Sequence, residues 1–497
     1  MQKKTRALLV YPEFPATYWS FKYALKFVGK KSAFPPLGLI TVASMLPSDW
    51  DLKLVDMNVA RLRARDVEEA DVVFLSAMSV QRESAEKTIR FCQGLGRPVV
   101  CGGPLFSCEP DKFEYADCRV LYEGEVNIPD FLRDFTAGRM KKVYDRRDYP
   151  QMDSAPIPRW DLVDVGKYAG MCLQFSRGCP FDCDFCNVTS LFGRAPRTKS
   201  AEQVVAELDA ICATGWKQAV FFVDDNFIGN KPYLKSDLLP AIIKWQRSRR
   251  VKIPFFTEAS INLADDDALM SLMRVAGFDS VFIGIETPDE ASLQSCNKKQ
   301  NRGRDMIECV KKIQGYGMQV QAGFIVGFDT DTDGVFQRQI DFIQKSGIVI
   351  AMVGILQAPV GTKLYARMKE AGRIVSEWSG NNVASATNIA TKMNLETLSR
   401  GYRMIFEKIY SHDGYYGRIR EFLKNYEVPE VRSPVSLSDI AAFAKANLRL
   451  GVFSAGRFAY WRLLAWVLLK RRALLPEAVR LSIMGLHFRK VYRACGG

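Results

Sequence analysis

The chain has 497 residues, a length that suits two or three domains rather than one. Apolar residues make up 48% and charged residues 25%, which excludes a disordered or low-complexity chain, and no apolar run is long enough to span a bilayer. Lysine and arginine outnumber aspartate and glutamate by 69 to 55, and the net charge of +14 suits a polyanion, an anionic membrane surface or an ordinary basic exterior.

The numbers of cysteines and histidines limit the reaction mechanisms and metal sites that the protein can have. Twelve cysteines occur without a recognisable signal peptide, which indicates a reducing compartment where thiols bind metals or lie in cores. The two histidines are His412 and His487. This scarcity removes most histidine-based mechanisms and most zinc enzymes from consideration.

Residues 1–145 are predicted to form a doubly wound, Rossmann-like α/β domain. Short apolar runs that alternate with helical segments predict five strands, at 7–11, 52–55, 72–76, 99–101 and 119–122. Such alternation predicts a parallel sheet whose ligand lies beyond the carboxyl ends of the strands. Gly102, Gly103 and Gly124 follow strands at that edge, where glycine lets a large flat ligand approach the backbone. No G-x-G-x-x-G follows the first strand, so a dinucleotide is not expected.

The rest of the chain is predicted to contain a linker, a partial barrel and a helical region. Residues 146–169 are the linker, because two X-Pro steps favour extended chain. Residues 170–375 predict a partial (β/α)6 barrel, two units short of an eightfold one. Its strand-like runs are 172–176, 219–223, 255–259, 280–285, 319–326 and 349–356. Residues 376–497 are predicted to be helical, with core-facing spacing over 395–410.

The most specific pattern is C-x3-C-x2-C, formed by Cys179, Cys183 and Cys186 directly after a predicted strand. Three thiolates on a tight loop can hold three irons of a [4Fe–4S] cluster and leave the fourth iron open. The alternatives are a structural zinc site and three core cysteines. Zinc needs a fourth protein ligand, but neither histidine is near, and Cys172 lies within the preceding strand.

With an aromatic residue before its last cysteine and a partial barrel behind it, this motif resembles the radical S-adenosylmethionine family. The resemblance implies that the open iron binds S-adenosylmethionine, which one electron cleaves to a 5′-deoxyadenosyl radical. It also implies that polar strand ends contact the amino group, ribose and carboxylate of this cofactor, and that the fifth strand lies beside its adenine. The residues so assigned are Phe185, Asp224, Asp225, Asn226, Glu258, Ser260, Glu286, Thr287 and Phe324. Taken singly, each strand-end residue has an alternative role in a cap or turn.

A doubly wound domain directly before such a barrel resembles the cobalamin-binding subclass of this family. The resemblance implies that the corrin lies over the carboxyl edge of the sheet and faces the cluster. The Asp-x-His-x-x-Gly signature is absent and the domain has no histidine, so we expect water, no ligand or a nearby side chain below the cobalt. The residues predicted to contact cobalamin are Ser76, Met78, Ser79, Val80, Gln81, Gly102, Gly103, Glu123, Gly124 and Glu125. The alternative is a domain that has lost the corrin.

The last seventy residues are basic and aromatic. The segment 453–492 is predicted either to lie in a membrane interface, through Trp461, Trp466 and Phe488, or to form a helical cap on the barrel. Its ending, with the helical module before it, resembles the bacterial hopanoid methylases of the cobalamin subclass.

These resemblances predict a cobalamin-dependent radical S-adenosylmethionine C-methyltransferase that acts on an unactivated carbon of a hydrophobic substrate, a hopanoid or another lipid. One alternative is an oxidoreductase, cyclase or rearrangement enzyme with the same cofactors. A more distant one is an RNA-modifying iron–sulfur enzyme, which the Trp-rich helical tail disfavours. We expect an electron donor such as flavodoxin or ferredoxin, and a cytoplasmic location with or without peripheral contact with the inner membrane. No catalytic side chain is assigned.

Overall fold

The computed structural model describes residues 4–381, 383 and 386–494. Its strands are β1 Arg6–Tyr11, β2 Asp51–Asp56, β3 Val72–Ser76, β4 Val99–Gly102, β5 Cys118–Val120, β6 Val143–Tyr144, β7 Met171–Leu173, β8 Ser176–Arg177, β9 Arg197–Thr198, β10 Val220–Phe222, β11 Phe255–Ala259, β12 Phe278–Glu286, β13 Gln319–Val326 and β14 Ala351–Ile355.

The helices alternate with these strands and then dominate the last quarter of the chain. They are α1 Lys22–Val28, α2 Leu37–Met45, α3 Ala64–Glu68, α4 Arg82–Gly94, α5 Pro104–Cys108, α6 Gly124–Thr136, α7 Val188–Phe192, α8 Ala201–Ala213, α9 Lys231–Tyr233, α10 Leu239–Ser248, α11 Asp267–Ala276, α12 Glu290–Ser295, α13 Met306–Gly315, α14 Val335–Ser346, α15 Lys363–Glu370, α16 Leu395–Ile409, α17 His412–Asn425, α18 Leu437–Gly451, α19 Arg457–Lys470 and α20 Leu475–Ala494.

The chain divides into two compact units. Unit 1 comprises residues 1–15, 31–179 and 187–216. Unit 2 comprises residues 16–30, 180–186 and 217–497. These units cut across the domains expected from the sequence, whose boundaries therefore stay a prediction.

Unit 1 contains a parallel sheet with the strand order β2-β1-β3-β4-β5-β6. Its central strands carry continuous apolar runs such as 7–10 and 72–75, because helices on both faces bury every side chain of the run. All five predicted strands are present, and the two-residue β6 is an addition too short for a sequence pattern. Strand β1 pairs with β2 on one side and β3 on the other. The topological switch point, where such sheets bind ligands, therefore lies between β1 and β3.

The predicted linker is packed into unit 1. Met152, Trp160 and Tyr168 are at most 4% exposed, and the Tyr168 hydroxyl donates to Asp56 Oδ2 at 2.9 Å. The X-Pro steps do keep the segment free of α-helix and strand, with short 3-10 turns instead. Its apolar side chains nevertheless bury themselves, a property that the proline spacing does not reveal.

In unit 2, the strands β10 to β14 are all parallel and follow one another in sequence order across the sheet. Helices such as α11 and α13 pack on these strands. The remaining predicted barrel strand is β7, which belongs to unit 1. All six predicted strands of the barrel are thus present.

The C-terminal part of unit 2 is helical, as predicted. Helix α16 buries Leu398, Tyr402, Ile405 and Ile409, whereas Leu395, also expected to face the core, is 56% exposed at the first position of the helix. Helix α1, far away in sequence, packs against α18 and α20. In the described part of the chain, no helix has the length and apolarity needed to cross a bilayer.

One part of the membrane expectation is wrong. Phe488 is fully buried and stacks on Tyr18 with ring centroids 4.2 Å apart. Trp466 is half-buried beneath the Arg420 guanidinium, 5.2 Å from its ring. Helix α20 belongs to the core because the segment 16–30 covers it. Of Trp461, Trp466 and Phe488, only Trp461 is exposed, at 46%.

Candidate active site

The loop that carries Cys183 and Cys186 is fastened to unit 2 by hydrogen bonds and ion pairs. Main-chain groups of Asp182 and Asp184 bond the segment after α12: Asn297 Nδ2 donates to Asp182 O at 2.7 Å, and Asp184 N donates to Cys296 O at 3.0 Å. The two aspartate side chains bond helix α15 instead. Asp182 pairs with Lys363 at 2.5 Å and Asp184 with Arg367 at 2.7 Å.

Two contacts reach the cluster motif itself. Gln300 Nε2 donates to Cys183 Sγ at 3.7 Å, and such a bond stabilises a thiolate. Phe185 packs among apolar side chains that include Phe328 and Leu356. The motif thus carries its own anchors, since the aspartates and the phenylalanine between the cysteines hold the loop.

Cys179 belongs to unit 1, where the residue before it explains its position. Gly178 has a φ of +93°, and a Cβ there would lie 3.0 Å from the carbonyl oxygens of Gly193 and Ala195. Only glycine fits this turn without moving the facing backbone. The Ser-Arg-Gly-Cys sequence therefore sets the direction in which the chain enters the motif.

At the end of β12, a buried ion pair holds a strained residue. Glu286 has a φ of +65° although it is not glycine, a conformation that costs about 1–3 kcal/mol. Its Oε1 lies 2.7 Å from Lys298 Nζ, and the two side chains are 9% and 11% exposed. Burial alone would lower the pKa of Lys298, but the charge of Glu286, followed by that of Cys183, raises it above its ordinary value. Lys298 therefore stays cationic close to the cluster motif.

The polar residues after β10 and β11 meet at one edge of the sheet, as predicted for carboxyl ends of parallel strands. Asn226 Oδ1 accepts hydrogen bonds from Ser260 N at 3.2 Å and Ser260 Oγ at 3.3 Å. Asn226 Nδ2 is buried and has no hydrogen-bond partner within residues 4–381, 383 and 386–494. A bound ligand with an acceptor oxygen or nitrogen would satisfy this buried N–H group.

The carboxyl groups at this edge favour a cation. Burial, followed by the charges of Asp225 and Asp224, raises the pKa of Glu258 to about 8. Three clustered carboxyl groups repel one another, so an ammonium or sulfonium group placed beside them lowers the energy of their ionised forms. S-adenosylmethionine carries both groups, and the residues present here fit it.

The structure gives the other two residues assigned to S-adenosylmethionine local roles. The Thr287 hydroxyl accepts from Asp289 N at 3.2 Å, which makes it a turn residue, and its side chain is fully buried. The Phe324 ring packs edge-on against Phe342 of α14, 5.9 Å away, so it faces the helical layer. Their contact with the cofactor stays a prediction.

In unit 1, the turns after β3 and β4 lie at the sheet edge where contact with cobalamin is predicted. Gly103 has a φ of +92°, and a Cβ there would lie 2.7 Å from Ser76 Oγ. Gln81 is buried and holds the 76–82 loop in place, since its Nε2 donates to Pro12 O at 2.6 Å and its Oε1 accepts from Met78 N at 2.8 Å. Met78, 47% exposed, is left as a side chain able to touch a ligand. A glycine turn beside the exposed Met78 side chain, near the switch point, fits a large flat group.

Glu123 and Glu125, also expected to contact cobalamin, are engaged in ion pairs. Arg177 reaches Glu123 at 2.7 Å and Glu125 at 2.8 Å, and Arg197 reaches Glu123 at 2.5 Å. Burial raises the pKa of Glu125, but the hydrogen bond and charge of Arg177 outweigh it and lower that pKa below its ordinary value. Both carboxylates thus hold the strand of the cluster motif within unit 1.

Sequence patterns missed the residues that come from distant segments. Lys298, Gln300, Lys363 and Arg367 lie outside any motif and become neighbours of the cysteine loop only through folding. Among the described residues, no three His, Cys, Asp or Glu side chains converge on a point where one metal ion would bind. The thiolates of a [4Fe–4S] cluster each bind a different iron, so the motif does not need such convergence.

Comparison with family models identifies three consecutive regions. A B12 binding domain matches residues 30–132, the radical SAM superfamily matches 173–343, and a domain of unknown function matches 362–496.

Two curated relatives match over most of their length. The chain is 39% identical to an uncharacterised methyltransferase of Synechocystis sp., over 97% of this chain and 91% of that protein. It is 35% identical to the hopanoid C-2 methylase of Rhodopseudomonas palustris, over 76% of this chain and 72% of that protein.

Solved structures share the fold at low sequence identity. The cobalamin-dependent radical enzyme OxsB, with aqua-cobalamin bound, has a TM-score of 0.63 at 16% identity, covering 99% of this chain and 80% of that one. The methyltransferase TsrM from Kitasatospora setae, with cobalamin and a [4Fe–4S] cluster bound, has a TM-score of 0.59 at 15% identity and covers 99% and 100%.

Proposed function

The chain belongs to the cobalamin-dependent radical S-adenosylmethionine methyltransferases, and we propose that it methylates an unactivated carbon of a hydrophobic, lipid-like substrate. The radical SAM and B12 binding domains bring a [4Fe–4S] cluster, S-adenosylmethionine and cobalamin as cofactors. When bound, this set supplies a radical able to abstract hydrogen from carbon, and a methyl group to replace it.

In this proposal the residues of the chain hold and orient these groups. Cys179, Cys183 and Cys186 bind the cluster. The buried Asn226 Nδ2 donates to an acceptor oxygen of S-adenosylmethionine, and the carboxyl groups near Glu258 receive its cationic end. The turns after β3 and β4 receive cobalamin. Because the N-terminal domain contains no histidine, Met78 and its neighbours in the 76–82 loop would be the side chains that hold cobalamin there.

The observation that carries the substrate class is the aromatic inner face of the unit 2 sheet. Residues alternate along a strand, and in β11 Phe256 and Glu258 are half-buried while their neighbours are buried. Phe256 stacks on Phe221 of β10 with centroids 4.6 Å apart. Glu258 is in register with Phe282 of β12, whose ring meets Trp19 at 5.3 Å.

This inner face is thus mainly aromatic, and Glu258 lies on it towards the polar strand ends. The Trp19 indole N–H donates to Met352 Sδ at 3.0 Å, so that its one polar atom is already bonded. A hydrocarbon skeleton packs on such a surface by hydrophobic and dispersion contacts. The relation to a hopanoid methylase supports a polycyclic lipid as the substrate.

We also propose a reductant and a cellular location for the enzyme. A flavodoxin or ferredoxin supplies the electron that cleavage of S-adenosylmethionine requires. The enzyme works in the cytoplasm, and it contacts the inner membrane peripherally because a lipid substrate resides there.

Expression in a hopanoid-producing host that lacks hopanoid methylation tests this function. We expect the organic extract to contain a lipid heavier than its precursor by one CH2 unit. The Cys183→Ala variant should produce none, whereas Cys212→Ala, which removes a thiol from α8, should produce as much as the natural chain. New methylation confined to the aqueous extract or to RNA would contradict the lipid assignment.

A further inference from the structure

Helices α18 and α19 form a hairpin that exposes many large apolar side chains. We call these side chains the hairpin face: Leu437, Ile440, Leu448, Val452, Phe453, Phe458, Trp461, Leu468 and Leu469. Leu437, Phe453, Phe458 and Leu469 are each at least 75% exposed. Exposed apolar side chains are normally scattered singly over a protein surface, so this many on one helix pair indicates an interaction site.

The exposure follows helical periodicity, so it is a property of the helices and not of loose ends. In α18 the exposed positions Leu437, Ile440 and Leu448 recur at helical spacing and Val452 follows directly after the helix, while Ala442 and Ala446 are buried. In α19, Phe458, Trp461 and Leu468 share one side, while Leu463 and Val467 are buried. Both helices therefore pack through one side and leave a second apolar side open.

The tip of the hairpin is held rigid. The Trp461 indole N–H donates to Gly451 O at 2.9 Å, which ties the start of α19 to the end of α18. A Cβ on Gly451 would approach the Trp461 ring to 2.8 Å, so the two helices meet closely there. With its polar atom bonded, Trp461 is still 46% exposed and presents ring surface, as Phe453 and Phe458 do. Aromatic residues of this kind are enriched where a protein meets a membrane interface.

The charge of this region has one sign. Between Asp439 and Glu477 the sequence contains no aspartate or glutamate. It contains seven cations, half of the net charge of +14: Lys445, Arg449, Arg457, Arg462, Lys470, Arg471 and Arg472. Some of these cations have partners in the structure, since Arg462 pairs with Asp413 at 3.3 Å and Arg471 donates to Lys424 O and Tyr426 O. A second copy of the chain placed face to face would still bring like charges together, which disfavours self-association through this surface.

We propose that the hairpin face docks the enzyme on an anionic lipid bilayer. Phe453, Phe458 and Trp461 enter the interface, and the arginines and lysines beside them meet the headgroups. A basic helix pair with an aromatic apolar face has the composition of interfacial membrane anchors. Delivery of a membrane-borne substrate, as the use of this docking, rests on the proposed function, whereas the docking itself rests only on this surface.

Vesicle flotation of the full chain tests the docking without any substrate or turnover. The vesicles contain phosphatidylcholine alone, or phosphatidylcholine with phosphatidylglycerol. We expect flotation with the anionic vesicles at low salt. Phe453→Ser/Phe458→Ser should lower the partition coefficient at least tenfold, because two exposed rings no longer enter the interface. The matched control Phe91→Ser/Leu395→Ser removes two exposed apolar side chains elsewhere and should float like the natural chain.

A second pair of variants separates charge from apolar contact. Arg457→Gln/Arg462→Gln should lower partition about 30-fold, at about 1 kcal/mol for each cation near an anionic surface. Arg61→Gln/Arg139→Gln, with the same net charge but altered outside the hairpin, should leave it unchanged.

Absence of flotation with anionic vesicles would overturn the docking, as would equal loss in a variant and its control. Dimers that only the Phe453→Ser/Phe458→Ser variant abolishes, without vesicle binding, would assign the face to a second copy instead. A lipid-methylating enzyme that does not float would refute the docking alone, and a floating chain that methylates no lipid would refute the proposed function alone.

Discussion

At the scale of single residues, Lys298 and Glu286 show how the fold stabilises an unfavourable backbone conformation beside the cluster motif. The ion pair holds Glu286 at a φ of +65°. Removing the cation from a buried pair leaves an uncompensated charge, which costs more than removing both partners.

The first prediction concerns this pair. Lys298→Met should destabilise the protein by about 3–5 kcal/mol, whereas Lys298→Arg retains the charge and should lose much less. The double variant Lys298→Met/Glu286→Gln should recover most of the loss, because no buried charge remains. Urea unfolding followed by circular dichroism gives the midpoints, and equal midpoints for the Met and Arg variants would show that the pair has no such role.

A second residue, His487, makes stability depend on pH. Its Nε2 lies 2.8 Å from Tyr18 O and its Nδ1 accepts from Tyr23 N at 3.4 Å, which uses the neutral ring as donor and acceptor. Burial lowers the pKa of His487 to about 4. Between pH 6.5 and 4 the unfolded chain binds a proton at His487 and the folded chain does not. The contribution of neutral His487 to the free energy of unfolding is therefore complete above pH 6.5 and is lost as the pH falls from 6.5 to 4.

From this we predict that lowering the pH from 7 to 5 costs the natural chain about 2 kcal/mol more than it costs His487→Gln. The comparison with the variant cancels the other titrating groups, and urea unfolding at both pH values measures it. An equal loss in both proteins would mean that His487 does not titrate on unfolding.

At the scale of elements, the turn after β4 depends on the lack of a side chain at Gly103. A Cβ there would meet Ser76 and Ala77, and the φ of +92° is unfavourable for any other residue. Gly103→Ala should destabilise unit 1 by about 1–3 kcal/mol. Gly124→Ala is the matched control, because its Cβ would find ordinary contacts at 3.5 Å or more, and equal unfolding midpoints for the two variants would contradict this account.

Strands and strand ends were predictable from sequence, but the contacts of the charged residues were not. Buried parallel strands leave apolar runs in the sequence, so β1 to β5 and the polar residues 224–226 that follow β10 could be located. The pairing of Asp184 with Arg367 joins residues far apart in sequence, and no local pattern carries it. The same reason hides the ion pairs that occupy Glu123 and Glu125.

At the scale of the whole molecule, half of the net positive charge and several exposed aromatic side chains lie in the hairpin of α18 and α19. Composition predicted an anionic partner, and the tail predicted either a membrane surface or a cap. The structure gives neighbouring helices of this region different exposure, because the segment 16–30 buries α20 while α18 and α19 keep an open apolar side. The covering segment precedes α20 by more than four hundred residues, so the sequence pattern of the tail alone could not reveal it.

The central claim is the transfer of a methyl group from S-adenosylmethionine to a lipid carbon. The most direct test supplies methionine with a trideuterated methyl group to the hopanoid-producing host that expresses the chain, and analyses the lipids by mass spectrometry. We predict a new methylated lipid that retains all three deuterons, and none in cells that express Cys183→Ala. A modified lipid without the label, or a product whose mass shows loss of hydrogen and no added carbon, would contradict methyl transfer.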